Sequence, residues 1–72
     1  MPKYIELRRL LVQTRNQVGL SQTALAKRLG RPQSYVSKFE RGERRLDVVE
    51  FFEVVDALKV DGFKLLKTLL SR

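Results

Sequence analysis

The chain has 72 residues, enough for one domain near the lower size at which a single core holds without a disulfide or a metal. It contains no cysteine and no histidine, which excludes disulfide scaffolds, thiolate zinc sites and thiol catalysis. Its net charge of +7 is uneven: residues 1–42 hold nine Lys/Arg against two Asp/Glu and residues 43–72 hold six of each, so the excess that attracts polyanions lies entirely in the first part.

Apolar residues recur at helical spacing in five segments, and no segment alternates long enough for a strand. The expected fold is therefore all-α: one compact five-helix domain over 1–72. The first helix, about 3–18, puts Leu7, Leu11, Thr14 and Val18 on one stripe, with Pro2 at its start and Gly19 as its stop. The second, about 22–29, follows Ser21, an N-cap type; Ala24 leaves the reciprocal capping box incomplete. Leu25, Ala26 and Leu29 form its inner face and Gly30 ends it. Only three residues then lead to a third helix, about 33–41, and so short a connection fits the sharp crossing of a helix-turn-helix over about 22–41. The fourth, about 48–58, has the clearest start, with Asp47 and Glu50 as a capping box and Leu46 and Phe51 as a hydrophobic staple. The fifth, about 62–71, follows Asp61 and carries Phe63, Leu65, Leu66, Leu69 and Leu70.

The third helix divides by angle. At about 100° per residue from Gln33, Ser37 falls at about 40°, Arg41 at about 80°, Ser34 at about 100° and Lys38 at about 140°. Val36 and Phe39 fall on the far side, at about 300° and about 240°. One arc is thus an apolar anchor, and the other offers hydroxyls, an amide and cations. Those groups suit base edges: Gln pairs bidentately with adenine, Lys donates to guanine and Ser bonds to either. An ordinary amphipathic helix facing only water is the alternative, but a solvated face commonly mixes signs in i,i+4 pairs, and this arc has no acid.

The stretch GLSQTALAKRLGRPQSYVSKFERGERRLD resembles the Cro/repressor-type helix-turn-helix proteins, the xenobiotic-response-element family. The resemblance runs from about Leu7 to Leu58 and rests on Arg15, Gly19, Leu20, Ser21, Gln22, Leu25, Ala26, Gly30, Val36, Glu40 and Gly42, every spacing intact. It implies a repressor-like DNA-binding domain whose second and third helices form the helix-turn-helix. It further implies base contacts from Gln33, Ser34, Ser37 and Lys38, and a phosphate contact from Gln22, which also braces the recognition helix. Arg31, Arg41, Arg44 and Arg45 match positions that contact phosphate. Tyr35 matches another, or packs beside the helix pair; Arg44 and Arg45 otherwise solvate the loop. The resemblance also implies a partly buried salt bridge between Arg15 and Glu40. Two positions depart from the family pattern. Pro32 replaces a Ser or Thr cap, removing a capping side chain and an N–H while fixing φ. Lys59 replaces the Gly that ends the fourth helix, so the turn into the fifth is open to differ.

The fourth helix is apolar almost all round, broken only by Glu50, Glu53 and Asp56. A core stripe needs about half of that surface; the rest, with the fifth helix, is either extra core or a subunit interface. Val49, Phe52, Val54, Phe63, Leu66 and Leu70 are expected at a homodimer interface, which the resemblance also implies. The functional expectation is a non-enzymatic regulator that binds a near-palindromic operator in double-stranded DNA, most simply as a repressor, without metal or cofactor. The alternative is an antitoxin or restriction-modification controller-type protein that also binds a partner, with a toxin or RNA polymerase as candidates. No apolar run is long enough to span a membrane, and no apolar signal segment follows MPKYIELRR, so a cytoplasmic, nucleoid-associated protein of bacterial or phage origin is expected.

Overall fold

The computed structural model describes residues 2–71 and places five helices among them: α1 Pro2–Val18, α2 Gln22–Leu29, α3 Gln33–Arg41, α4 Val48–Leu58 and α5 Gly62–Leu70. Residues 1 and 72, the outer ends of the expected domain, lie outside the described residues. Short polar side chains set the helix starts. Ser21 Oγ accepts the Ala24 N–H at 3.0 Å, and Asp61 accepts from the N–H groups of Phe63 and Lys64. Asp47 and Glu50 form the expected capping box, each side chain accepting the other's backbone N–H at 2.7 and 3.0 Å.

The exception is α3. Pro32 occupies its N-cap with φ −63° and ψ 152° and supplies no side-chain bond. The first turn is closed by backbone alone, the Tyr35 N–H donating to the Pro32 carbonyl at 3.0 Å. Proline thus sets the angle at which α3 leaves the turn through its fixed φ rather than through a cap. Gly30, at φ 67°, provides the left-handed residue that lets the chain reverse between α2 and α3 within three residues.

The core is built where α2, α3 and α4 meet beneath α1. Leu11, Leu25, Ala26, Val36, Phe39, Phe51, Val54, Val55 and Leu58 are nearly or wholly buried. Ala26 lies inside this cluster, where α2 and α3 cross. On α4 the inner stripe is Phe51, Val54, Val55 and Leu58, at i, i+3, i+4 and i+7. Val54, expected at a subunit interface, therefore belongs to the core and has no surface to offer a second chain. The α1 stripe also differs from expectation. Val18 is 41% exposed at the last turn, while Leu20, beyond the Gly19 turn, packs against the core. Leu10, not on the expected stripe, is buried. At the other end, Lys3 Nζ donates to the Leu69 carbonyl at 3.0 Å and ties α1 to the end of α5.

Lys59 adopts the left-handed conformation that its glycine counterpart would take, φ 59° and ψ 41°, so the turn into α5 keeps the glycine geometry without the glycine. A side chain bearing Cβ is strained there. Lys59→Gly is therefore expected to stabilise the fold by about 1 kcal/mol, read as a raised midpoint in urea denaturation.

Candidate nucleic-acid interface

The orientation of α3 is fixed by a chain of polar contacts running under it. Arg15 on α1 grips Glu40 on α3 with two parallel bonds, Nε–Oε2 at 2.7 Å and Nη2–Oε1 at 3.0 Å, and its Nη1 donates to the Leu20 carbonyl at 2.9 Å. The two side chains are only 11% and 6% exposed. Gln22 on α2 donates to the same Glu40 carboxylate at 2.9 Å and accepts from Gln33 Nε2 at 2.7 Å. One carboxylate thus joins α1, α2 and the first residue of α3. Further along, Arg8 Nη1 donates to the Glu40 carbonyl at 3.2 Å, where the last turn of α3 leaves carbonyls unpaired. Gly42, at φ 81°, lets this guanidinium approach; a Cβ there would lie 2.5 Å from Arg8 Nη1.

With Val36 and Phe39 buried, the opposite arc of α3 faces solvent. Gln33, Ser34, Lys38 and Arg41 are exposed, and Ser37 is half-buried at the edge of that arc. Tyr35 is buried and meets Phe39 edge to face, with ring centroids 5.7 Å apart. Its ring also carries two guanidinium groups, Arg31 at 4.5 Å and Arg44 at 4.8 Å from its centroid. Tyr35 therefore packs in the core and seats two of the expected phosphate contacts on its ring. Burial, reinforced by the Glu50 carboxylate, pushes its hydroxyl above the ordinary tyrosine range.

Carboxylates restrain several of these cations. Arg41 pairs with Glu43 at 2.6 Å, Arg31 approaches Glu53 at 3.9 Å, and Arg44 Nη2 donates to Glu50 Oε2 at 2.6 Å. Arg45 instead lies over the Tyr4 ring of α1, 4.3 Å from its centroid, while the Tyr4 hydroxyl accepts the Leu46 N–H at 3.1 Å. Neither Tyr4 nor the second role of Glu50 was legible in helical spacing, because both contacts join separate elements through the α3–α4 loop. The bond from Arg44, with that from the Asp47 N–H, holds the Glu50 carboxyl at about 2, below its ordinary 4.5. A depressed carboxylate stabilises the fold fully above its unfolded value and loses that contribution as pH falls through the folded one. Between pH 4.5 and 2 the Tm of the wild-type chain should accordingly fall further than that of Glu50→Gln. Parallel curves would assign the acid loss to other carboxylates.

Away from this surface, α4 and α5 expose Val48, Val49, Phe63 and Leu70, each at least 64% accessible. Phe52 and Leu66 are half-buried, and the Phe52 ring bridges Phe51 and Phe63 at 5.2 and 5.1 Å between centroids. Among the described residues, no helix is long and apolar enough to cross a membrane.

A helix-turn-helix family model matches residues 11–65. The chain is similar to an XRE-family like protein from Pseudomonas syringae pv. tomato str. DC3000, at 46% identity and a TM-score of 0.95, over 97% of this chain and 85% of that one. It is also similar to the restriction-modification controller protein C.AhdI from Aeromonas hydrophila, at 31% identity and a TM-score of 0.79, over 90% of this chain and 98% of that one. No curated protein matches it. The chain belongs to the xenobiotic-response-element (XRE) family of helix-turn-helix DNA-binding transcriptional regulators.

Proposed function

We propose that this protein binds a near-palindromic operator in double-stranded DNA as a homodimer and represses transcription by occluding polymerase. The observation that carries the reading is the outer arc of α3. Gln33, Ser34 and Lys38 stand free of the core with Ser37 at their edge, on a helix whose rotation is locked by the Arg15–Glu40 bridge. Rigid mounting of a short helix bearing Gln, Ser and Lys is what direct reading of base edges in the major groove requires. Gln22, Arg31, Arg44 and Arg45 beside the arc, and Arg41 at its C-terminal end, contact phosphate, setting register without reading sequence. Tyr35 acts there indirectly, by seating Arg31 and Arg44.

The exposed apolar side chains of α4 and α5 support the homodimer, with Val49, Phe63 and Leu70 central and Phe52 and Leu66 at their base. A two-fold axis there sets two α3 helices about 34 Å apart, one turn of duplex. The protein acts in the cytoplasm of a bacterium or a phage-infected cell, on nucleoid DNA. A second reading, a regulator that also binds a partner such as a toxin or RNA polymerase, draws support from the similarity to C.AhdI, a restriction-modification controller protein.

Two substitutions separate reading from positioning. Lys38→Ala is expected to cost about 1–3 kcal/mol on the operator and much less on random duplex. Arg41→Ala should weaken both DNAs alike and reduce the salt slope by about 1. Equal loss on both DNAs for Lys38→Ala would remove it from the base-reading set.

A further inference from the structure

Four arginines are expected to contact phosphate beside the recognition helix, and three already face carboxylates: Arg31 with Glu53, Arg41 with Glu43 and Arg44 with Glu50. Arg45 has no carboxylate partner among the described residues. It is exposed, and its guanidinium is held by the face of Tyr4 at 4.3 Å from the ring centroid. The same tyrosine fixes the backbone one residue further on, its hydroxyl accepting the Leu46 N–H at 3.1 Å. One half-buried side chain on the first turn of α1 therefore holds both the plane of Arg45 and the loop that carries it.

The two ways of holding an arginine differ in what they leave free. A carboxylate occupies N–H donors along an edge and cancels the charge, so a phosphate arriving at Arg41 or Arg44 meets a competitor. A ring engages the flat face of the guanidinium and leaves its N–H fork and its full charge outward. It also removes part of the side-chain freedom that binding would otherwise cost. We propose that Tyr4 is a positioning residue for DNA binding, presenting Arg45 as a pre-oriented, un-neutralised phosphate contact and making the start of α1 part of the DNA surface. The proposal rests on the DNA-binding reading above and adds to it a residue remote in sequence from the helix-turn-helix.

The test is a double-mutant cycle on random-sequence duplex DNA at fixed salt, followed by fluorescence anisotropy, with wild type, Tyr4→Leu, Arg45→Ala and the double variant. Tyr4→Leu should weaken binding about two- to fivefold, the size of an exposed cation–π contact, when Arg45 is present, and not at all in the Arg45→Ala background. Tyr4→Trp, which keeps an aromatic face for Arg45 but no acceptor for the Leu46 N–H, should lose less than Tyr4→Leu. Equal losses from Tyr4→Leu in both backgrounds would make its role merely structural and overturn the proposal. So would an Arg45→Ala chain that binds as tightly as wild type, a comparison that stands even if Tyr4→Leu fails to fold by circular dichroism. A wild-type chain that binds no duplex at low salt would instead overturn the DNA-binding reading, and this proposal with it.

Discussion

Replacing Glu40 with alanine is expected to lower folding stability by about 3–5 kcal/mol, the cost of breaking a buried ion pair by removing one partner. The size follows from burial and connectivity. Arg15 and Glu40 are 11% and 6% exposed, so Glu40→Ala strands a guanidinium whose remaining protein acceptors are the Leu20 carbonyl and the Asn16 side chain. The same change takes from Gln22 its acceptor, and with it the support for Gln33. A domain of this size holds about 4–11 kcal/mol in total, so between about a quarter and all of its stability would go. Glu40→Gln, which keeps an acceptor for one of the Arg15 donors, should lose less. Urea denaturation checks both; a loss below about 1 kcal/mol for Glu40→Ala would place the pair among solvent-screened surface bridges.

Phe39→Ala is expected to cost a similar amount, about 3–5 kcal/mol, for a different reason. Phe39 is 1% exposed within the cluster formed with Leu25, Val36 and Leu58, and its truncation removes the ring that Tyr35 meets edge to face. The next residue toward the N-terminus gives the contrast. Lys38 is exposed, so Lys38→Ala should leave stability within about 0.5 kcal/mol while weakening operator binding. Adjacent residues on one helix thus separate mounting from reading: Phe39→Ala shifts the unfolding midpoint, and Lys38→Ala shifts the DNA affinity. A Phe39→Ala chain with an unchanged midpoint would mean that α3 is not anchored through this ring.

The helix boundaries were legible because they are written in local chemistry. Ser21, the Asp47–Glu50 box and Asp61 mark starts through bonds made within three residues, and Gly19 and Gly30 mark stops through conformations that other residues resist. The two faces of α3 were legible for the same reason, since one helical wheel needs no neighbours. The Arg15–Glu40 bridge came through family resemblance rather than periodicity, and the structure places the two side chains together as that resemblance implied.

What spacing could not give was which neighbour each face meets. Val54 lies on an all-round apolar helix, where nothing in the pattern separates the side packed on α2 from the side left open. Val18 follows the α1 period but falls at the last turn, beyond the packed surface. Tyr4, Arg45 and Leu46 come together only because α1 passes beside the α3–α4 loop. Glu50 reads as a capping residue, yet its second oxygen holds Arg44. At Lys59, a change of residue type suggested a change of turn that the backbone did not make.

The outer arc of α3 is the part of this surface able to read a specific operator. The most direct test of that reading is selection of bound sequences from a pool of random duplex DNA by the purified wild-type chain. Enrichment of one near-palindromic sequence is expected, with half-site centres about one helical turn apart, and with preference lost at the positions read by Gln33 or Lys38 when either is replaced by alanine. A pool that stays unenriched after repeated rounds, while salt-sensitive binding persists, would contradict it and leave a basic surface that binds DNA without reading it.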